Sequence, residues 1–167
     1  MTRRAFDPGQ CPIGRTLERV GDTWSLMILR DASQGLTRFD QFEKSLGMAP
    51  NILTQRLAAL VEAGFLERRP YQQRPVRHEY VPTDLARDFA PVMTALMAFG
   101  NRHYATEGVA SQMVDATTGL PAEPVLVDRR SGKPMDSPDF VYAAGPAASP
   151  AVLERVAAVA RRRGAPA

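Results

Sequence analysis

Residues 38–64 read RFDQFEKSLGMAPNILTQRLAALVEAG, and the spacing of their apolar side chains decides the fold. Phe39, Phe42 and Leu46 recur at steps of three and four, which predicts a short helix over 38–46 with one buried face. Leu53, Leu57 and Leu60 repeat the pattern and predict a second helix from 50 to about 63. Pro50 suits a first helical position, and Gly64 stands where a C-terminal cap belongs. Between the two helices Gly47-Met48-Ala49 leaves room only for a tight turn. Two short helices joined by a glycine-containing turn of three residues form the helix-turn-helix pattern.

The flanking chain completes a winged arrangement. Upstream, Pro12, Ile13, Leu17 and Val20 predict a first helix over 11–20, ended by Gly21. Asp22 or Thr23 then caps a second helix through Asp31, in which Trp24, Met27, Ile28, Leu26 and Leu29 are expected to supply a mostly buried surface. Downstream of Gly64 the period shortens. Residues 65–71 and 77–81 read as two strands around a tip at 72–75, a hairpin that carries arginines and lacks an apolar face of its own. Such a hairpin must lean on the helices. Thr83 caps a longer predicted helix from 84 to about 104, where Leu85, Phe89, Val92, Leu96, Phe99 and His103 recur at steps of four and three. A period near 3.5 suits packing against another helix.

These elements predict a mainly α fold with a small β-wing, α+β in class. A winged helix-turn-helix domain over 1–106 is expected to precede a small β-containing C-terminal appendage over 107–167. In the appendage, β-like runs at 113–115, 124–127 and 140–142 lie between glycine and proline turns. Ser149-Pro150 is placed to cap a last helix over 151–163, whose arginine-rich end complements the helix dipole.

A helix of about 14 residues is roughly 21 Å long and fits a major groove about 12 Å wide. With the leucines turned inward, its outward face near the N-terminus carries Pro50, Asn51, Thr54 and Gln55, with Arg56 at the flank. Asparagine and glutamine pair with adenine, threonine meets the thymine methyl, and arginine takes guanine or phosphate. Arg38 opens the preceding helix, where side chain and helix terminus both suit a phosphate. Arg68, Arg74 and Arg77 on the hairpin are placed to follow the backbone or enter the minor groove. The net charge is only +3, but its distribution is informative. Residues 49–78 hold five arginines against two glutamates, whereas from Glu107 onward seven basic and seven acidic residues cancel. Double-stranded DNA is therefore the expected partner. A winged helix that binds only protein is the alternative, against which the hairpin arginines argue.

Composition narrows the remaining classes. Of 167 residues, 44% are apolar and 23% charged, as in an ordinary globular protein. No apolar run approaches the roughly 20 residues that span a bilayer, and the first residues lack the apolar core of a secretory signal. A cytoplasmic location without a membrane partner is expected. No glycine-rich phosphate loop, Ser/His/Asp set or metal-ligand spacing is present in the sequence, so neither an enzyme, a cofactor nor a metal is expected. His78 and His103 are too isolated for a metal site and are expected to be structural or surface residues.

Several linked motifs resemble HxlR-type (MarR-like) winged-helix transcriptional regulators. They are Cys11-Pro12-Ile13 with Thr16-Leu17, residues 21–30 (GDTWSLMILR), Arg38-Phe39, residues 53–57 (LTQRL), Leu60, Gly64-Phe65-Leu66 and residues 79–83 (EYVPT). The resemblance covers about 11–104. It implies a homodimer built from the first helix and the 84–104 helix, with Ile13, Leu17, Val92, Leu96, Phe99 and His103 as interface residues. It further implies a near-palindromic operator and a role as repressor. A cavity between the dimer helices would accept a small apolar effector. One departure is Ala49, where the family usually carries a serine-like cap; Pro50 compensates by fixing the helix start.

Cys11, the one cysteine, excludes an internal disulfide and a multi-cysteine zinc site. It precedes a predicted helix N-terminus with Arg15 one turn away, and both features favour a thiolate. Some members of the resembling family sense oxidants through a cysteine at this position, which makes Cys11 a candidate redox sensor; the alternative is an inert packing thiol at the dimer contact. The tail resembles the small zinc ribbon of related regulators, in which cysteine-containing turns hold the metal. Here the corresponding turns are 115–119 (DATTG) and 128–132 (DRRSG), which keep both glycines and lack every thiol. Four Cys or His ligands are needed for a closed zinc site, so a metal-free, folded appendage is expected.

Overall fold

Leu53, Leu57 and Leu60 are completely buried, and the helices assemble around them. The computed structural model describes residues 9–162. These group into two units, residues 16–124 and residues 9–15 with 125–162. In chain order, α1 spans Pro12–Val20, α2 Thr23–Ser33, α3 Phe39–Leu46 and α4 Pro50–Glu62. Strands β1 (Leu66–Gln73) and β2 (Val76–Pro82) follow, then α5 (Asp84–Asp88), α6 (Ala90–Tyr104) and α7 (Pro150–Arg162). The result is the expected class: mainly helical, with a two-stranded antiparallel sheet.

In the 16–124 unit, the leucine stripe of α4 packs with Val20, Ile28, Phe42, Met48, Phe65 and Leu66, each at most 5% exposed. Fully burying one such side chain stabilises by about 1.5–3 kcal/mol, enough to set the rotation of each helix. The turn between α3 and α4 depends on Gly47, whose φ of 61° is left-handed and whose N–H donates to the Glu43 carbonyl at 2.9 Å. A side chain there would meet backbone strain. Met48 fills the space beneath the turn. Asp22 is the residue that caps α2, accepting from the Ser25 N–H at 3.1 Å. Thr83 caps α5 and donates through Oγ1 to the Gly64 carbonyl at 2.6 Å, tying the end of the hairpin to the end of α4.

Three expectations are corrected. The predicted 84–104 helix is broken at Phe89 into α5 and α6. Pro91 lacks the N–H that would reach the Arg87 carbonyl one turn back, so the helix restarts with proline in its first turn. The break turns Phe89 away from the apolar stripe and onto the core, edge-on to Phe65 with ring centroids 5.6 Å apart. Trp24 is 39% exposed rather than core, while Ile28 and Leu29 are buried and Leu26 and Met27 lie between. A helix of this length buries about one face, and that face is taken by Ile28, Leu29 and Ala32. The β-like runs of the tail are not strands. Only single bridges form at 113–115 and 124–127, from Val114 to Pro121 and from Val127 to Pro134, and 140–142 has none. Within the single chain Val125, Leu126, Val127, Val141 and Tyr142 are exposed.

What the tail forms instead are two turns of one design. In the 16–124 unit, Asp115 accepts the N–H groups of Thr117 and Thr118, both at 2.8 Å, and Gly119 N–H closes onto the Asp115 carbonyl at 2.8 Å. In the other unit, Asp128 accepts from the Ser131 hydroxyl at 2.7 Å and the Ser131 N–H at 2.9 Å, with Gly132 N–H closing at 2.8 Å. A carboxylate thus gathers the donors of each turn. Within that second unit, Gln10 accepts the Ser149 N–H at 2.7 Å and donates to the Ala147 carbonyl at 2.9 Å, anchoring the start of α7. The expected helix end at Arg163 lies outside the described residues.

These hydrogen bonds hold both carboxyls below their ordinary values, Asp115 chiefly through the Thr118 N–H and Asp128 chiefly through the Ser131 hydroxyl. A depressed carboxyl stabilises the turn above its unfolded pKa, and that contribution is lost as pH falls through the folded value. Carboxyl NMR titration is expected to place Asp115 and Asp128 below the usual aspartate range. Ordinary midpoints for both would show that the turns are open in solution.

Candidate nucleic-acid interface

The burial of one α4 face dictates what the other presents. Pro50, Asn51, Thr54 and Gln55 are all exposed, opposite or beside the completely buried leucines. Ala49 offers no side-chain cap, and Pro50 begins the helix in its place. The Thr54 hydroxyl donates to the Pro50 carbonyl at 2.8 Å, so its donor is occupied although the residue is exposed. Arg56 lies on the flank towards α2, with Nε 3.4 Å from Asp22 Oδ1.

Arg38 is the N-cap of α3 but has no acceptor to give the helix. Gln41 instead reaches back from the first turn, its Oε1 accepting the N–H groups of Thr37 at 3.0 Å and Arg38 at 2.9 Å. The Arg38 guanidinium is left to extend over the wing, where its Cζ sits 4.6 Å from the centre of the Tyr71 ring. The backbone joins the same two elements: Tyr80 N–H donates to the Thr37 carbonyl at 2.7 Å, and Arg38 bridges antiparallel to Glu79. Helix-turn-helix and wing are therefore one continuous surface.

On the wing, Arg69 pairs with Glu67 at 2.6 Å; the hydrogen bond from Arg69 lowers the Glu67 carboxyl, and Glu67 raises the Arg69 guanidinium. Arg69 is thereby occupied. Arg68 lies 3.0 Å from His78 Nδ1, whereas Arg74 at the two-residue tip and Arg77 beside it are exposed. The strands pair Arg68 with Tyr80 and Arg69 with Glu79, and a bulge between Pro70 and Gln72 shifts the register before the tip.

The dimer candidates lie elsewhere on the chain. Ile13 and Leu17 of α1 are 63% and 55% exposed, and Val92, Leu96 and Phe99 of α6 are 46%, 49% and 55% exposed. No residue of α6 is buried, although more than half of it is apolar. His103 stacks on Phe99 with centroids 4.5 Å apart. Cys11 is half-buried just before α1, with the Gly14 N–H 3.4 Å from its sulfur, and the Arg15 Nε donates to the Gly9 carbonyl at 2.9 Å. Among the described residues, no three His, Cys, Asp or Glu side chains gather as a metal site. No helix among them is long and apolar enough to cross a membrane.

Sequence reasoning missed Tyr71 beneath Arg38 and Asp22 beside Arg56. Both partners are remote in the chain, so no local spacing announces them.

The HxlR-like helix-turn-helix family model matches residues 19–108. An HTH-type transcriptional regulator of Mycobacterium tuberculosis is 36% identical over 80% of this chain and 85% of its own. A candidate transcription factor from Pseudomonas aeruginosa shares 51% identity, covers 87% of this chain and 99% of its own, and superimposes with a TM-score of 0.63. The redox regulator HypR in its reduced form is 27% identical over 55% of this chain and 94% of its own, with a TM-score of 0.52. With the helix-turn-helix, the wing and the matched span in agreement, the chain belongs to the HxlR-like helix-turn-helix family of transcriptional regulators.

Proposed function

We propose that the protein binds double-stranded DNA as a homodimer, with α4 in the major groove and the wing on the adjoining backbone, and acts as a repressor at a near-palindromic operator. The observation that carries this is the exposed Asn51, Thr54 and Gln55 face, held rigid by the fully buried leucines behind it. Asn51 and Gln55 read bases. Arg38, steadied by Tyr71, and Arg68, Arg74 and Arg77 hold phosphates on either side. A dimer lying across a promoter excludes polymerase by occupancy alone.

Selection of bound duplexes from a random pool is expected to return half-sites about 34 Å apart or a multiple of that. Alanine at Asn51 or Gln55 should change preference at particular base pairs by about 1–3 kcal/mol. Alanine at Arg74 or Arg77 should instead weaken all sequences and lower the salt slope by about 0.9 each. Unchanged binding in all four variants would exclude this face, and failure of the wild type to bind any duplex would leave the protein-binding alternative.

The exposed apolar residues of α1 and α6 support the homodimer, since a helix with such a stripe and no buried residue lacks its packing partner. Leu96→Glu or Phe99→Glu would place an unpaired charge in that contact. Both variants should run as monomers in light scattering, with α-helical circular dichroism retained; intact dimers would move the interface elsewhere.

An oxidant-responsive form of this regulation is supported by the half-buried Cys11 thiol and the likeness to HypR. Two α1 helices meeting through Ile13 and Leu17 would bring two Cys11 thiols together, a route to a disulfide between chains. Mild peroxide should then alter operator affinity reversibly in the wild type and leave Cys11→Ser unaffected. The same response in both proteins would make Cys11 a packing residue.

A further inference from the structure

Arg56 stands at the edge of the reading face with its Nε completely buried, yet its side chain as a whole is 41% exposed. The exposed surface therefore belongs to the rest of the group. Asp22 Oδ1, 3.4 Å away, is its ion-pair partner, although not in hydrogen-bond geometry with Nε. That carboxylate is itself fixed. Its Oδ1 accepts the Ser25 N–H at 3.1 Å, its Oδ2 accepts the Ser25 hydroxyl, and Ser25 is 1% exposed. The preceding Gly21 leaves no slack, because a Cβ there would stand 2.4 Å from the Leu17 carbonyl oxygen. On the other side, Leu53, Leu57 and Leu60 fix the helix that carries Arg56.

We propose that Asp22 is a positioning residue for Arg56: the capping carboxylate of α2 holds the guanidinium by its Nε edge and aims the remaining donors at a DNA phosphate beside α4. This rests on the DNA-binding function proposed above. A pair this exposed adds little to folding stability, so its consequence lies in orientation. An arginine held before binding loses less side-chain freedom when it meets a phosphate, and its free edge still supplies paired donors.

The effect has a sign that simple electrostatics does not share. Asp22→Asn removes a negative charge near the DNA surface, which by the field alone should tighten binding. Loss of the tether should weaken it. Asparagine is as good an N-cap as aspartate: its oxygen keeps the Ser25 N–H while its amide nitrogen donates to the Ser25 hydroxyl, so α2 keeps its start and the charge facing Arg56 is removed.

The experiment measures affinity of the full-length protein for a duplex recovered by selection, in wild type, Asp22→Asn, Arg56→Gln and the double variant. Asp22→Asn is expected to bind about three- to tenfold more weakly, with an unchanged melting temperature and a salt slope reduced by about 0.9. In the Arg56→Gln background it should cause no further loss. Equal or tighter binding by Asp22→Asn, or an equal loss in both backgrounds, would overturn the proposal. A second readout stands apart from DNA: the Nε–Hε NMR signal of Arg56 in the free protein. It should be resolved and slow to exchange in the wild type and collapse to the solvent-averaged position in Asp22→Asn. A wild type that binds no duplex would refute the DNA-binding function, and the Nε–Hε signal would then decide the tether alone. An averaged signal in the wild type overturns it.

Discussion

The three leucines of α4 are the constraint on which the recognition surface depends. All are inaccessible to solvent, and truncating one such leucine to alanine typically costs about 2–5 kcal/mol. Against a total stability on the order of 5–15 kcal/mol, that leaves α4 one rotational setting. A shift of one residue turns every side chain through about 100°, which would bury Thr54 in one direction or Arg56 in the other and expose a leucine. The same burial that holds the domain together therefore aims Asn51 and Gln55 outward. Phe42 and Ile28 supply the opposing surface, and Met48 seals the turn between α3 and α4.

Around that core, a few polar contacts convert separate elements into one surface. Gln41 closes the entry to α3 by accepting the Thr37 and Arg38 N–H groups, Arg38 lies across Tyr71, and Tyr80 N–H clasps the Thr37 carbonyl. Thr83 ties β2 and α5 back to the end of α4. The arginines of the wing are then sorted by their neighbours. Glu67 occupies Arg69 and His78 adjoins Arg68, whereas Arg74 and Arg77 stand at the tip. Position and pairing, more than the chain's small net charge, determine which cations are available to an anionic partner.

The second half of the chain uses polar closure where apolar burial is scarce. Asp115 and Asp128 each gather the donors of their own turn, a local solution that needs no ladder of strands. The short apolar runs around them stay exposed because a turn of this kind orders backbone without creating a face to cover side chains. A sequence with alternating apolar residues thus reads as strand when the hydrogen bonds that hold it come from aspartate.

Much was legible without coordinates. The steps of three and four at Phe39, Phe42 and Leu46 and at Leu53, Leu57 and Leu60, with glycine at 47 and 64, are local patterns set by helix geometry. They fixed both helices, the turn and the outward face of α4 before any tertiary contact was known. The break at Phe89 was also written in the chain as Pro91, and the apolar period overrode it in the reading. Other features had no local signature. Trp24 is exposed because the single buried face of α2 was taken by Ile28, Leu29 and Ala32. Arg38 meets Tyr71, and Arg56 meets Asp22, only when packing brings distant segments together. Periodicity records how a helix is built and which side it must bury; which charged side chain is tethered and which is left free is decided by neighbours that the folded chain alone supplies.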